Sequence, residues 1–166
     1  MLLRNLEPAD FEAITSVVDE WWGGRPVRGL LPRLFFEHFS ETSFVVVDEE
    51  DVSAFFIGFR SQTFPAVAYA HFIGVSPASR GKGYGRLLYQ RFFETVSRLG
   101  CTEVRSITSP VNENSIAFHR HLGFQVLPGD GEVNGCTVRV DYAGPGQPRV
   151  LFSKLLGEKT ENGSVS

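Results

Sequence analysis

Cysteine is scarce in this sequence: Cys101 and Cys136 are the two present, and neither stands at metal-ligand spacing. A disulfide scaffold and a structural zinc site are therefore not expected, and no metal is. Long apolar runs are missing as well, and none approaches the roughly 20 residues that a membrane-spanning helix needs. The first residues lack the pattern of a secretory leader, so a reducing, cytoplasmic setting is the expectation. Charge of one sign is not in excess. The net charge of −3 gives no reason to expect nucleic acid or an anionic membrane as a partner. What the chain has in quantity is phenylalanine, fifteen in 166 residues, within a hydrophobic fraction of 42%. That composition fits a globular core built by aromatic packing between a sheet and helices.

Periodicity supplies the elements. A first strand is expected over 1–6, a helix from Glu7-Pro8 with Phe11, Ile14, Val17 or Val18 and Trp21 as its stripe, and a shorter helix over 32–39. Two β-rich runs, 44–47 and 52–59, flank Asp48-Glu49-Glu50-Asp51 and read as a hairpin. Tyr69, His71, Ile73 and Val75 alternate with Ala70, Phe72 and Gly74, which predicts a strand with two distinct faces. Tyr84, Leu88, Phe92, Val96 and Leu99 recur at helical spacing, and Gly100 follows where a left-handed cap would sit. A strand over 103–108, a helix over 112–122 closed by Gly123, short strands beyond, and a final strand over 149–155 complete the reading. The expected fold is α/β (α+β): a mixed, mostly antiparallel sheet flanked by helices. Residues 1–156 read as one domain, and 157–166 as a frayed polar tail.

The stretch that carries chemistry is Arg80-Gly81-Lys82-Gly83-Tyr84-Gly85-Arg86, between a strand and a long helix. Glycines ahead of a helix leave backbone N–H groups uncovered, and the helix dipole adds about half a positive charge there. Arg80, Lys82 and Arg86 add full charges, so the turn suits a diphosphate. It is neither of two commoner phosphate loops. A Rossmann fingerprint needs glycine where Arg86 stands, and a P-loop needs Ser or Thr where Gly83 follows Lys82.

Arg80, Gly83 and Gly85, spaced Arg-x-x-Gly-x-Gly after a strand, resemble the acetyl-CoA pyrophosphate loop of the GNAT family of N-acetyltransferases. Asn114-Ser115-Ile116-Ala117-Phe118-His119-Arg120-His121-Leu122-Gly123-Phe124 resembles that family's second signature, in the right order and with a strand between. The likeness covers nearly the whole chain. It implies acetyl-CoA (coenzyme A) as cofactor and transfer of its acetyl group to a primary amine, by direct attack. Backbone groups of Phe72, Ile73 and Val75 would pair with pantetheine as an added strand. Amides from Arg80 through Gly81, Lys82, Gly83, Tyr84 and Gly85 to Arg86 would hold the pyrophosphate. Asn114 would bond the pantetheine arm and Phe118 pack beside it. Family members are often homodimers.

The resemblance departs at His119, where the family usually carries a tyrosine taken to protonate the departing thiolate. An imidazolium could do the same work. His71 is the candidate base for the amine, directly or through a water, with Tyr69 on the same face as an alternative that could relay or orient the water. An amide near Ile73 or Gly74 would steady the oxyanion. For the acceptor, Trp21 and Trp22 could hold an ammonium by cation–π contact, and Arg25 or Arg28 could meet an anionic group. Tyr142 lies in a late loop that could reach the same cleft. The expected acceptor is a small-molecule amine bearing an anionic group. A protein N-terminus or lysine is the rival substrate, and an acetyl-CoA sensor without turnover, or a nucleotide-binding site, is the rival from another class.

Overall fold

Apolar runs in the middle of the chain are buried on both faces, and this sets the architecture. A computed structural model describes residues 1–157. In chain order these hold β1 (Leu2–Asn5), α1 (Asp10–Thr15), α2 (Val18–Trp21), α3 (Leu34–His38), β2 (Phe44–Asp48), β3 (Asp51–Arg60) and β4 (Val67–Val75). Then come α4 (Tyr84–Arg98), β5 (Glu103–Thr108), α5 (Glu113–His121), β6 (Gln125–Val126), β7 (Gly131–Val133), β8 (Cys136–Val138) and β9 (Val150–Leu155). Among the described residues, seven strands form one sheet in the order β1-β2-β3-β4-β5-β9-β6, with β7 and β8 a separate hairpin. The β4–β5 pair is parallel and the other neighbours are antiparallel. The expected mixed sheet flanked by helices is what forms. Of the polar tail expected over 157–166, residues 158–166 lie outside the described residues.

Strand alternation feeds two cores. Phe44, Val46, Ala54 and Phe56 point to the face covered by Leu88, Tyr89 and Phe92 of α4. Val45, Phe55 and Ile57 point to the other, against Ile14, Val18, Trp21 and Phe36. Each fully buried Phe here is worth about 1.5–3 kcal/mol. Glu49 and Glu50, between β2 and β3, both take positive φ, 51° and 73°. That is the two-residue turn whose twist suits a hairpin.

Two expectations are corrected. The single N-terminal helix is split into α1 and α2, with Thr15 Oγ1 donating to Phe11 O at 2.6 Å and Ser16 Oγ to Ala13 O at 3.1 Å at the break. Such bonds offer the backbone an alternative to the helix. The period-two reading of β4 fails at its centre. Ile57 of β3 faces Phe72, but Gly58 faces Ala70, so His71 is an extra residue in a bulge. The bulge reverses the phase. Ala68 and Ala70 lie on the α4 side, and beyond the bulge Ile73 and Val75 take that side. Tyr69, its ring tilted against Phe59, and His71, stacked on Phe35, face the other way with Phe72. Tyr69 and His71 thus do not share a face with Ile73 and Val75.

Gly58 makes the bulge possible. Its carbonyl accepts Thr42 Oγ1 at 2.6 Å, and a Cβ there would stand 2.7 Å from both Phe56 and Phe92 rings. Gly58→Ala is expected to lower unfolding free energy by about 1–3 kcal/mol, read by urea titration.

Candidate active site

The fold opens the site by letting two strands part. β4 and β5 pair only from Val67↔Glu103 to Tyr69↔Arg105. Ser106 Oγ donates to Ala70 O at 3.0 Å, the last cross-link before the gap. Beyond Ala70, β4 is bonded to β3 on one edge while its other edge faces a cleft.

On one side of the sheet this cleft is a groove of about 710 Å³, lined by Ile73 and Val75 of β4, the Arg80–Arg86 loop, and Asn114 and Phe118 of α5. Gly81 and Gly83 both take φ of +83°, which strongly favours glycine. The amides of Gly81, Gly83, Tyr84, Gly85 and Arg86 donate to no acceptor among the described residues. Gly83 at the cap of α4 closes nothing with a side chain, whereas Asn112 Oδ1 accepts Ser115 N at 3.1 Å to cap α5. The open cap fits a diphosphate: five donors converge at the positive end of a fifteen-residue helix. Gly85 lets Phe118 approach, its ring 3.1 Å from where a Cβ would stand.

The loop's charges are partly engaged already. Arg80 Nη2 donates to Trp21 O at 2.7 Å, tying the loop to the end of α2. Lys82 Nζ lies 3.3 Å from Asp48 Oδ2, and Tyr84 OH donates to the same oxygen at 2.6 Å. Tyr84, then Lys82, hold the Asp48 carboxyl below its ordinary value, and Asp48 raises the Tyr84 phenol in return.

Comparison with known proteins decides the family. The profile of the GNAT acetyltransferase family matches residues 6–124, well over half of the sequence. The chain belongs to the GNAT acetyltransferase family. Acetyl-CoA is the cosubstrate of this acetyltransferase. Ard1 of Thermoplasma volcanium is 18% identical with a TM-score of 0.74, over 95% of this chain and 98% of its own. A ribosomal-protein-alanine N-acetyltransferase of Brucella melitensis is 18% identical with a TM-score of 0.70, over 94% and 100%. The yncA protein of Salmonella typhimurium, solved with its cofactor acetyl-CoA, is 21% identical with a TM-score of 0.67, over 99% and 98%. These likenesses concern the fold. Among curated proteins, none matches the sequence.

A second cavity of about 540 Å³ adjoins the GNAT groove. Trp22, Arg25, Ile73, Asn112, Ser115 and His119 line both. Tyr69, His71 and Phe72 enter the second cavity from β4. Trp22 packs on Phe72 with ring centroids 5.0 Å apart. Trp21 is buried in the core and lines the first groove. Arg28 is exposed and lines neither cavity, although Val27 and Leu30 of the same segment line the second; Asp19 Oδ1 accepts the Val27 and Arg28 amides. Tyr142 is exposed and outside the lining, although its neighbour Ala143 is part of it.

His71 Nε2 stands 2.7 Å from Leu30 O, so it carries the proton and leaves Nδ1 as the ring's acceptor. Burial lowers the ring's pKa. Burial also pushes the Tyr69 phenol up to about 12, helped by Tyr142. His119 differs from the expected imidazolium. It is buried, Nδ1 stands 2.7 Å from Ser115 O, and Tyr89 OH stands 2.7 Å from Nε2. A carbonyl only accepts, so Nδ1 carries the proton and Nε2 accepts from Tyr89. Desolvation lowers its pKa, and a neutral ring results.

Among the lining residues that sequence reading missed are Tyr89, Ser106 and Arg149. Tyr89 sits one position past Leu88, where it passes for part of the helix's apolar stripe. Nothing local to Arg149 marks it, since β9 reaches β5 only through the sheet.

Gly83→Ala is expected to strain the loop by about 1–2 kcal/mol, since φ stays positive there. If the free loop escapes that strain by leaving the positive-φ conformation, regaining it on binding makes CoA about 5–30-fold weaker by calorimetry; if the loop stays, the cost appears as lost folding stability instead. A second outcome concerns pH. His71 and His119 bind protons less readily folded than unfolded, so stability is full above about 6.5 and falls as pH drops below it. His119→Gln is expected to flatten that decline in urea titrations across this range.

Proposed function

We propose that the protein moves the acetyl group of acetyl-CoA to the primary amine of a small molecule carrying an anionic group, with both substrates bound together. Residues 1–156 act as one acyltransferase domain. The observation that carries this reading is the meeting of the two cavities. The groove has free amides in its floor, and the adjoining pocket has Arg25 and Arg149 in its wall and no carboxylate among its described lining residues. A volume of about 540 Å³ is in the range of small-molecule sites.

Acetyl-CoA, when bound, supplies an activated acyl carbon, so no nucleophilic side chain is required. The free amides of Gly81, Gly83, Tyr84, Gly85 and Arg86 would hold the diphosphate, with the charges of Lys82 and Arg86 behind them. The free edge of β4 offers backbone groups to the pantetheine arm, and Asn114 and Phe118 flank it from α5. Arg25 and Arg149 orient the acceptor through its anionic group, and Trp22 covers its ammonium. His71 Nδ1 takes a proton from the ammonium before attack, directly or through a water that the Tyr69 hydroxyl orients.

A panel of amines with acetyl-CoA, read as free thiol, tests this. Small amines bearing a carboxylate or phosphate are expected to turn over ahead of neutral amines and of peptides. Arg149→Ala is expected to raise the acceptor KM about 10–100-fold, as for loss of a charge-assisted hydrogen bond, and to leave the acetyl-CoA KM unchanged. Turnover of peptides alone would select a protein substrate. CoA binding without any turnover would select the sensor reading.

A further inference from the structure

We propose that Tyr89 and His119 form a two-residue proton relay at the junction of the two cavities, Tyr89 Oη exchanging protons with the reacting groups and His119 Nε2 storing one behind it. The inference rests on the acetyl-transfer reading above. Its basis is a pair that is almost sealed yet faces both cavities. Tyr89 and His119 are 1% and 3% exposed, both line the acceptor pocket, and His119 also lines the donor groove.

Each atom of the pair has a fixed role. Tyr89 comes from α4 and His119 from α5, and Oη–Nε2 is 2.7 Å. On the far side Nδ1–H donates to Ser115 O at 2.7 Å, and Phe152 stacks on the ring at 4.8 Å. This bond fixes the tautomer and turns Nε2, the basic nitrogen, toward the phenol. After Nε2 takes a proton, both ring N–H groups still have acceptors, Ser115 O and Tyr89 Oη. A buried cation is tolerable only under that condition. The resembled family carries a phenol at position 119 itself; here the phenol reaches the site from a different helix.

The relay balances without an outside reagent. The amine forms the C–N bond as the thioester C–S bond breaks, and one proton must travel from nitrogen to sulfur. Tyr89 Oη takes that proton while its own hydroxyl proton moves to His119 Nε2. The reverse shift then delivers a proton to sulfur, and the pair ends as it began. The other titratable groups around the pocket are Tyr69 and His71 of β4 with Arg25 and Arg149, and Ser106 of β5 stands beside the phenol. Burial drives the Tyr89 phenol up, so Tyr89 rests protonated and works only through its partner.

Two measurements test the pair. In kinetics with the best amine of the panel, Tyr89→Phe and His119→Gln are each expected to cut kcat about 100-fold or more. The acetyl-CoA KM should stay within about two-fold, and the inflection that wild type shows in kcat against pH should disappear. The second variant keeps a hydrogen-bonding partner for Tyr89 but no site for the proton, and it covers the case in which the first does not fold. A folded Tyr89→Phe with wild-type kcat and pH profile would overturn the relay. Separately, imidazole 15N NMR of the ligand-free protein should show His119 as the Nδ1–H tautomer at neutral pH. An Nε2–H ring would overturn the proposal whatever the activity. If wild type releases no thiol with any amine, the acetyl-transfer reading fails, and the NMR result alone then decides whether the paired resting state exists.

Discussion

The parting of β4 from β5 is the constraint on which the rest depends. A parallel pair needs a crossover connection, here α4, and a helix that starts at the C-terminal end of β4 places its amides at the mouth of the gap. Because pairing stops after Tyr69, the inner edge of β4 keeps its backbone groups for something other than the sheet. The groove, the open cap of α4 and the wall provided by α5 all follow from that one early separation. Were the two strands zipped to their ends, the amides of the loop would face the same solvent but no cleft would lead to them.

The bulge at His71 sits beside the point of separation, and the two act together. Reversing the phase of β4 turns Ile73 and Val75 toward α4, where they line the first groove, and keeps Tyr69, His71 and Phe72 on the side of α1–α3. One strand can thereby supply walls to both cavities. In a regular strand Tyr69, His71 and Ile73 would instead share one face.

What could be read from the sequence, and what could not, divides by the range of the interaction. Glu103–Thr108, the stripe from Tyr84 to Val96, and the glycines after α4 and α5 were legible because each is decided within a few residues. The Arg80–Gly85 spacing was legible for the same reason. The bulge was not, because it depends on Gly58 lying across the sheet with no side chain between Phe56 and Phe92. Arg25 and Arg28 look equivalent three residues apart, and only the folded path of the chain between them shows that Arg25 lines the cavities and Arg28 does not. Arg149 was invisible until β9 was known to lie beside β5. Tyr89 was hidden differently, since its spacing suits an ordinary core residue and only the ring of His119 gives its hydroxyl a purpose.

The bond from Arg80 to the Trp21 carbonyl joins parts of the molecule that would otherwise be independent. A guanidinium has five N–H groups, and one is spent on the end of α2. The remaining donors stay on the side of the groove that Arg80 lines. One guanidinium therefore couples the position of the glycine loop to that of the helix end bearing Trp22 and Arg25, and neither can shift without breaking or dragging the bond.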